Sequence, residues 1–242
     1  MSVLKPGLEA RLRGVEEELR RVVEKAGRPA GSVKLLAVGK TFPAEAVAQC
    51  LPLGVRAFGE NYVQEGAAKV EWFREHYPDV ELEWHLIGPL QSNKTRVVAE
   101  HFDWVQSVDR LKIAERLNAQ RPAGMKPLQV LIEVNIDDSP TKSGLPPAEV
   151  EALADAIDAM PNLTLRGLMC IPAPADTSEG RLKPLLAMKA FYDEFKKRHP
   201  QVDTLSMGMT RDMDEAVAAG STMVRVGTAI FGPRDYGQRT SQ

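Results

Sequence analysis

Eight short apolar runs, each followed by a segment of helical period, constrain this chain more than any other feature. The runs, rich in Val, Ile and Leu, cover residues 33–39, 55–59, 82–87, 104–107, 128–135, 163–169, 204–207 and 222–226. Near-continuous apolar runs of this length suit strands of a parallel sheet covered on both faces. Between them lie segments with helical spacing of apolar residues, at 43–51, 62–76, 93–99, 111–119, 148–160, 185–198 and 212–219, with a last one near Ala229. Eight βα units at intervals of roughly 20–40 residues predict an α/β fold of the (β/α)8 TIM-barrel type. A doubly wound open sheet is the competing arrangement. Its usual Gly-rich turn after the first strand is missing, because that run ends Ala37-Val38-Gly39-Lys40-Thr41.

Ahead of the first strand, Leu8, Leu12, Val15, Leu19 and Val22 alternate at spacings of four and three, predicting an amphipathic helix over 7–26 bracketed by Pro6 and Gly27. Such a stripe packs on its own domain or forms a short coiled-coil seam. No linker-like tract divides the 242 residues, so residues 1–242 read as a single domain with its barrel at about 33–235.

Charge and cysteine usage exclude several partners. The chain has 31 Lys+Arg against 33 Asp+Glu, a net charge of −2, which provides no global field for nucleic acid or a membrane surface. Any partner must be recognised by a local site. Only Cys50 and Cys170 are present, without a disulfide framework or CxxC motif, so a cytoplasmic location is expected. No apolar run approaches the ~18 residues of a membrane span. His76, His85, His101 and His199 show no metal-ligand spacing, and no metal is expected.

In a barrel the working residues gather at the C-terminal strand ends, here Lys40, Asn61, His85, Ser107, Asn135, Cys170, Ser206 and Arg225. The last two junctions, Ser206-Met207-Gly208-Met209-Thr210 and Arg225-Val226-Gly227-Thr228, combine small residues with hydroxyls where barrels hold phosphate. They could also be plain turns, with Thr210 and Thr228 as helix caps. Lys40 leaves an apolar strand, and partial desolvation there favours a neutral amine suited to Schiff-base formation with a carbonyl. The competing role is a lysine reaching the rim for solvent. One ligand that carries both a phosphate and an aldehyde is pyridoxal 5′-phosphate (PLP). Arg225 would then face the pyridine nitrogen, unless it forms a structural ion pair. Asn61 is either a cofactor contact or the N-cap of a capping box with Gln64. His85 is either on the ligand face or a structural histidine. No GxSxG elbow or P-loop is present.

These motifs, together with Phe58-Gly59-Glu60-Asn61-Tyr62-Val63-Gln64-Glu65, Trp84-His85-Leu86-Ile87-Gly88-Pro89-Leu90-Gln91-Ser92-Asn93-Lys94, Lys142-Ser143-Gly144 and Val224-Arg225-Val226-Gly227-Thr228-Ala229-Ile230-Phe231-Gly232, closely resemble the pyridoxal phosphate homeostasis protein family. The resemblance spans nearly the whole chain and implies a fold-type III PLP barrel like the N-terminal domain of alanine racemase. It implies Lys40 as the aldimine lysine, Ser206, Gly227 and Thr228 near the phosphate, Arg225 near the ring nitrogen, and Asn61 and His85 as further cofactor contacts. Gly39 and Thr210 stand where the family often has Ser, and Lys142 has no assigned role. The expected function is to carry or buffer PLP in vitamin B6 homeostasis without robust catalytic turnover, with apo PLP-dependent enzymes as recipients. The expected state is a monomer, or a dimer through the 7–26 helix. The alternatives are a PLP-dependent amino-acid racemase or related enzyme, and a barrel enzyme for another organic phosphate. Racemases of this type add a C-terminal domain that supplies a catalytic Tyr; here only the short tail with Tyr236 follows the eighth unit, which favours the carrier.

Overall fold

The computed structural model describes residues 7–138 and 143–233, so Lys142 and Tyr236 lie outside the described residues. Eight parallel strands close into a barrel in chain order. They are β1 (Lys34–Val38), β2 (Ala57–Glu60), β3 (Glu83–Leu86), β4 (Trp104–Val108), β5 (Leu128–Glu133), β6 (Leu163–Met169), β7 (Thr204–Ser206) and β8 (Met223–Val226). The ring closes where β1 pairs with β8, Leu36 opposite Arg225. The helices are α1 (Leu8–Lys25), α2 (Ala44–Ala48), α3 (Val63–His76), α4 (Thr95–His101), α5 (Leu111–Gln120), α6 (Pro147–Asp158), α7 (Ser178–Arg198), α8 (Met213–Ala219) and α9 (Thr228–Phe231). The barrel expectation is met, and the open sheet is excluded by the β1–β8 ladder.

Strand residues alternate between the lumen and the surrounding helices, so both faces must be apolar to be buried. Outward, Phe58 on β2 is fully buried between Phe73 of α3 and Trp84 of β3, at ring separations of 6.0 and 5.2 Å. Inward, Leu36, Val38, Ala57, Ile87 and Met223 form one cluster and Trp104, Leu131 and Met169 another. Gly167 on β6 sits at φ 142°, and a Cβ there would lie 1.9 Å from the Thr204 carbonyl oxygen. This close approach of β6 to β7 coincides with a register shift between Val130 and Leu131 on β5.

The α1 stripe packs on this chain's own barrel. Leu19, Val22 and Val23 meet Val33, Met213, Val217 and Val224, and Arg11 Nε donates to the Ile230 carbonyl at 2.9 Å. These apolar positions are therefore buried without a coiled-coil partner. At the far side His199 ties α7 to α6 through Asp158 (2.9 Å) and Glu151 (3.1 Å).

The largest departure from the expected helix bounds is at the start of α7. α7 begins at Ser178, seven residues before the expected 185, and carries Pro184 inside it. Thr177 is its N-cap, with Oγ1 accepting from the Gly180 amide at 3.0 Å. Removing that acceptor in Thr177→Ala is expected to cost about 1 kcal/mol. For a domain of this size that lowers the unfolding midpoint by roughly 2–4 °C in a thermal melt.

Candidate ligand site at the barrel mouth

The C-terminal ends of β1, β2 and β8, with the loops after β3, β6 and β7, surround a cavity of about 320 Å³, at the small end of ligand pockets. Five of the residues expected from sequence line it: Lys40, Asn61, Arg225, Gly227 and Thr228. Among its twelve described lining residues three are cationic, Lys40, Arg211 and Arg225, and none is acidic. A partly desolvated concavity of one sign concentrates anions. Val38 and Ile87 supply an apolar wall, and Ile171 and Met209, 39% and 41% exposed, complete the lining.

Lys40 follows β1 after Gly39 and is half-buried. The Gly39 amide still donates to Gly59 at 2.9 Å, so the lysine is carried one step beyond the last rung of the sheet. The backbone then turns left-handed at Thr41, φ 69°, a conformation costing a non-glycine residue about 1–2 kcal/mol. Phe42 anchors the exit by packing on Phe231 at 5.2 Å.

Asn61 does not form the capping box. The N-cap of α3 is Tyr62, with no side-chain capping bond, and Asn61 Oδ1 is buried with no partner among the described residues. Burying an unsatisfied carbonyl oxygen costs about 1–3 kcal/mol, so a ligand donor at this wall would relieve it. Gly88 presses on the same residue, where a Cβ would come within 2.1 Å of the Asn61 carbonyl oxygen. Neither threonine is a cap: the N-cap positions of α8 and α9 are Asp212 and Gly227, neither with a side-chain capping bond, and Asp212 Oδ1 instead accepts from the Met209 amide ahead of the helix at 2.7 Å. Thr210 and Thr228 are left exposed on the pocket lining.

Arg225 is 4% exposed. Nη1 donates to Ser206 Oγ at 2.7 Å and Nη2 to the Cys170 carbonyl at 3.0 Å. No carboxylate pairs with it among the described residues, so the structural ion pair is not formed. Burial pulls its pKa below the ordinary arginine value.

Ser206 and His85 are not on the wall. On β3 the lumen-facing residues are Glu83 and His85, and Ile87, the next residue of that parity, is the one that lines the pocket. His85 is fully buried and stacked on Trp104 at 4.9 Å. It joins a chain of bonds down the lumen: Ser206 Oγ donates to Gln106 Oε1 (2.7 Å), Gln106 Nε2 to His85 Nδ1 (3.0 Å), and His85 Nε2 to Glu83 Oε2 (3.3 Å). Every donor points from Arg225 toward Glu83. Burial pushes His85 down to about 4, so it is neutral at pH 7. Hydrogen bonds from His85 and Lys34 hold Glu83 down at about 2. Gln106, absent from the sequence expectations, is the middle link; its one signal is a polar side chain inside a strand, at the same lumen parity as Trp104.

A second cavity of about 660 Å³ lies at the other end of the barrel, but its Lys34 pairs with Glu83 and its Arg166 with Asp203. Its lining, unlike that of the mouth, includes carboxylates, among them Glu83 and Asp103.

The family model described as alanine racemase, N-terminal domain, matches residues 11–235. The pyridoxal phosphate homeostasis protein of Vibrio alginolyticus is 54% identical over 229 residues, covering 95% of this chain and 98% of its own. The chain belongs to the pyridoxal phosphate homeostasis protein family. Among solved structures, the family fold is shared with PipY of Synechococcus elongatus PCC7942, determined with PLP bound. PipY is 35% identical with a TM-score of 0.79, covering 93% of this chain and 100% of PipY. Alanine racemase of Clostridium difficile 630 shares the fold at 14% identity and a TM-score of 0.70, over 89% of this chain and 56% of the racemase. Within the family barrel described here, no helix among the described residues is long and apolar enough to cross a membrane.

Proposed function

We propose that this protein binds and releases pyridoxal 5′-phosphate at the barrel mouth, buffering the vitamin B6 cofactor in the cytoplasm without robust catalytic turnover. The observation that carries the proposal is one pocket with Lys40 on one wall and buried, carboxylate-free Arg225 on another. The residues fit the cofactor: Asn61 Oδ1 is an orphaned buried acceptor, and the cations suit a phosphate. When bound, the cofactor supplies an aldehyde that an amine can take up reversibly. Lys40 is the amine in this assignment. Gly227 and Thr228, with Arg211 nearby, hold the phosphate, where the first N–H groups of α9 have no intrahelical acceptor. Arg225 faces the ring nitrogen and, being a cation, disfavours its protonation. Ser206 and His85 serve the site through Arg225, by holding its guanidinium in place.

Support for a carrier over a racemase comes from the wall chemistry. Racemisation removes a proton from one face of Cα and returns it to the other, which needs a second base besides Lys40, and no Asp, Glu, His, Tyr or Cys is among the described residues lining the pocket. The exposed Ile171 and Met209 leave the mouth open for exchange with apo-enzymes. Reduction of the PLP-loaded protein with borohydride, followed by peptide mapping, is expected to place a pyridoxyl group on Lys40, and a different labelled lysine overturns the assignment. Incubation with L-amino acids in D₂O is expected to give negligible Cα–H exchange; fast exchange establishes an enzyme instead.

A further inference from the structure

The stretch from Phe58 to Glu65 contributes two carboxylates that the pocket wall does not use. Glu60 ends β2 and is fully buried; Glu65 lies in the first turn of α3, with Lys69, 4% exposed, one turn later. The Lys69 ammonium donates to the Gly39 carbonyl (2.7 Å), Glu60 Oε1 (2.8 Å) and Glu65 Oε1 (2.8 Å), which uses all three of its N–H bonds. Glu65 Oε1 also accepts from the Thr41 amide at 2.5 Å. The residues on both sides of Lys40 are therefore tied to one cluster, Gly39 directly and the left-handed Thr41 through Glu65. Gly39 makes this possible, because a Cβ there would lie 2.9 Å from Glu60 Oε1.

We propose that Lys69 is the positioning residue of the Lys40 site: with Glu65 and Glu60 it clamps the backbone on both sides of Lys40 and keeps a carboxylate beside it, setting the direction and the proton affinity of the amine. The inference rests on Lys40 being the residue that takes the cofactor. The charged groups facing Glu60 are Lys69 and Glu65 from α3 and Lys40 from the end of β1. Burial raises Glu60 to about 7 while the ammonium groups of Lys69 and Lys40 oppose the rise, so its charge changes near neutrality.

The test uses ligand-free protein and a small acylating reagent, with the pH midpoint of Lys40 labelling read by mass spectrometry. The rate of borohydride-trapped PLP incorporation is measured alongside. In Glu65→Ala, whose side chain is 32% exposed in the native protein, the fold persists. Its midpoint falls because an anion is lost, and incorporation slows about tenfold through misplacement of the amine. In Lys69→Met the midpoint rises, since the carboxylates lose their cation, while incorporation also slows; Lys69→Arg restores most of both. Opposite midpoint shifts are not produced by loosening alone. If Lys69→Met does not fold, Glu65→Ala and Lys69→Arg decide. Wild-type midpoint and rate in Glu65→Ala overturn the clamp. Absence of a borohydride-trapped pyridoxyl group on Lys40 in the unmodified protein instead overturns the functional proposal on which it rests.

Discussion

Lys40→Ala protein, loaded with PLP and treated with borohydride, is expected to carry no pyridoxyl label, and its affinity for PLP to fall on the order of 100-fold, about 2.7 kcal/mol. The substitution removes the amine and leaves the rest of the pocket in place. Arg225 keeps its bonds to Ser206 and the Cys170 carbonyl, and Gly227, Thr228 and Arg211 remain on the lining. Residual binding should then be that of an anion in a cationic concavity, weakening as ionic strength rises. The covalent contribution should be insensitive to salt. Equilibrium dialysis at two salt concentrations, with the reduced protein digested and weighed, separates the two. Wild-type affinity in the alanine variant, or an undiminished label elsewhere, removes Lys40 from the site.

Opposed pH dependences are expected from two buried groups. His85 is held at about 4 by burial, below an unfolded value near 6.5. As pH falls from 6.5 to 4, the unfolded chain takes up a proton that the folded chain refuses, and stability drops by roughly 3 kcal/mol. Glu60 is raised to about 7, again by burial first, above its unfolded value near 4.3. As pH rises through the window from about 4.3 to 7, the unfolded chain releases a proton that the folded chain keeps, so stability is lost in the other direction, by a similar amount. In the native protein these contributions offset each other between about pH 4.5 and 6.5. Denaturant titrations at pH 7 and 4.5 should show Glu60→Gln losing roughly 3 kcal/mol more than wild type on acidification, and His85→Gln losing correspondingly less. Curves for both variants that stay parallel to wild type would falsify this.

Several of these residues stood out in the sequence for a simple reason. A strand buried on both faces tolerates few polar side chains, so Lys40, Asn61 and Arg225 at the ends of apolar runs were visible as exceptions, and the structure brings them onto one pocket. His85 and Ser206 were equally exceptional, yet lie behind the wall, because strand parity alone does not tell which residue is outermost. On β3 it is Ile87, two residues on, that lines the pocket. The start of α7 was hidden by Pro184, which marks a helix boundary on local grounds and is accommodated inside this one. Glu60, Glu65 and Lys69 gave no distinct signal: Glu65 and Lys69 have the spacing of an ordinary surface ion pair, and the third partner comes from a different element.

The sequence by itself determined the eightfold βα order, the amphipathic stripe of α1 and the family to which the chain belongs, because periodicity and ordered motifs are properties of neighbours along the chain. The tertiary structure decided which polar residues share a cavity, which are relays beneath it, and which ion pairs brace Lys40. Those depend on the register of β1 against β2 and β8, and on how closely α3 approaches Gly39. Burial and electrostatics are set by atoms distant in sequence, and only closure of the barrel brings those atoms within reach of one another.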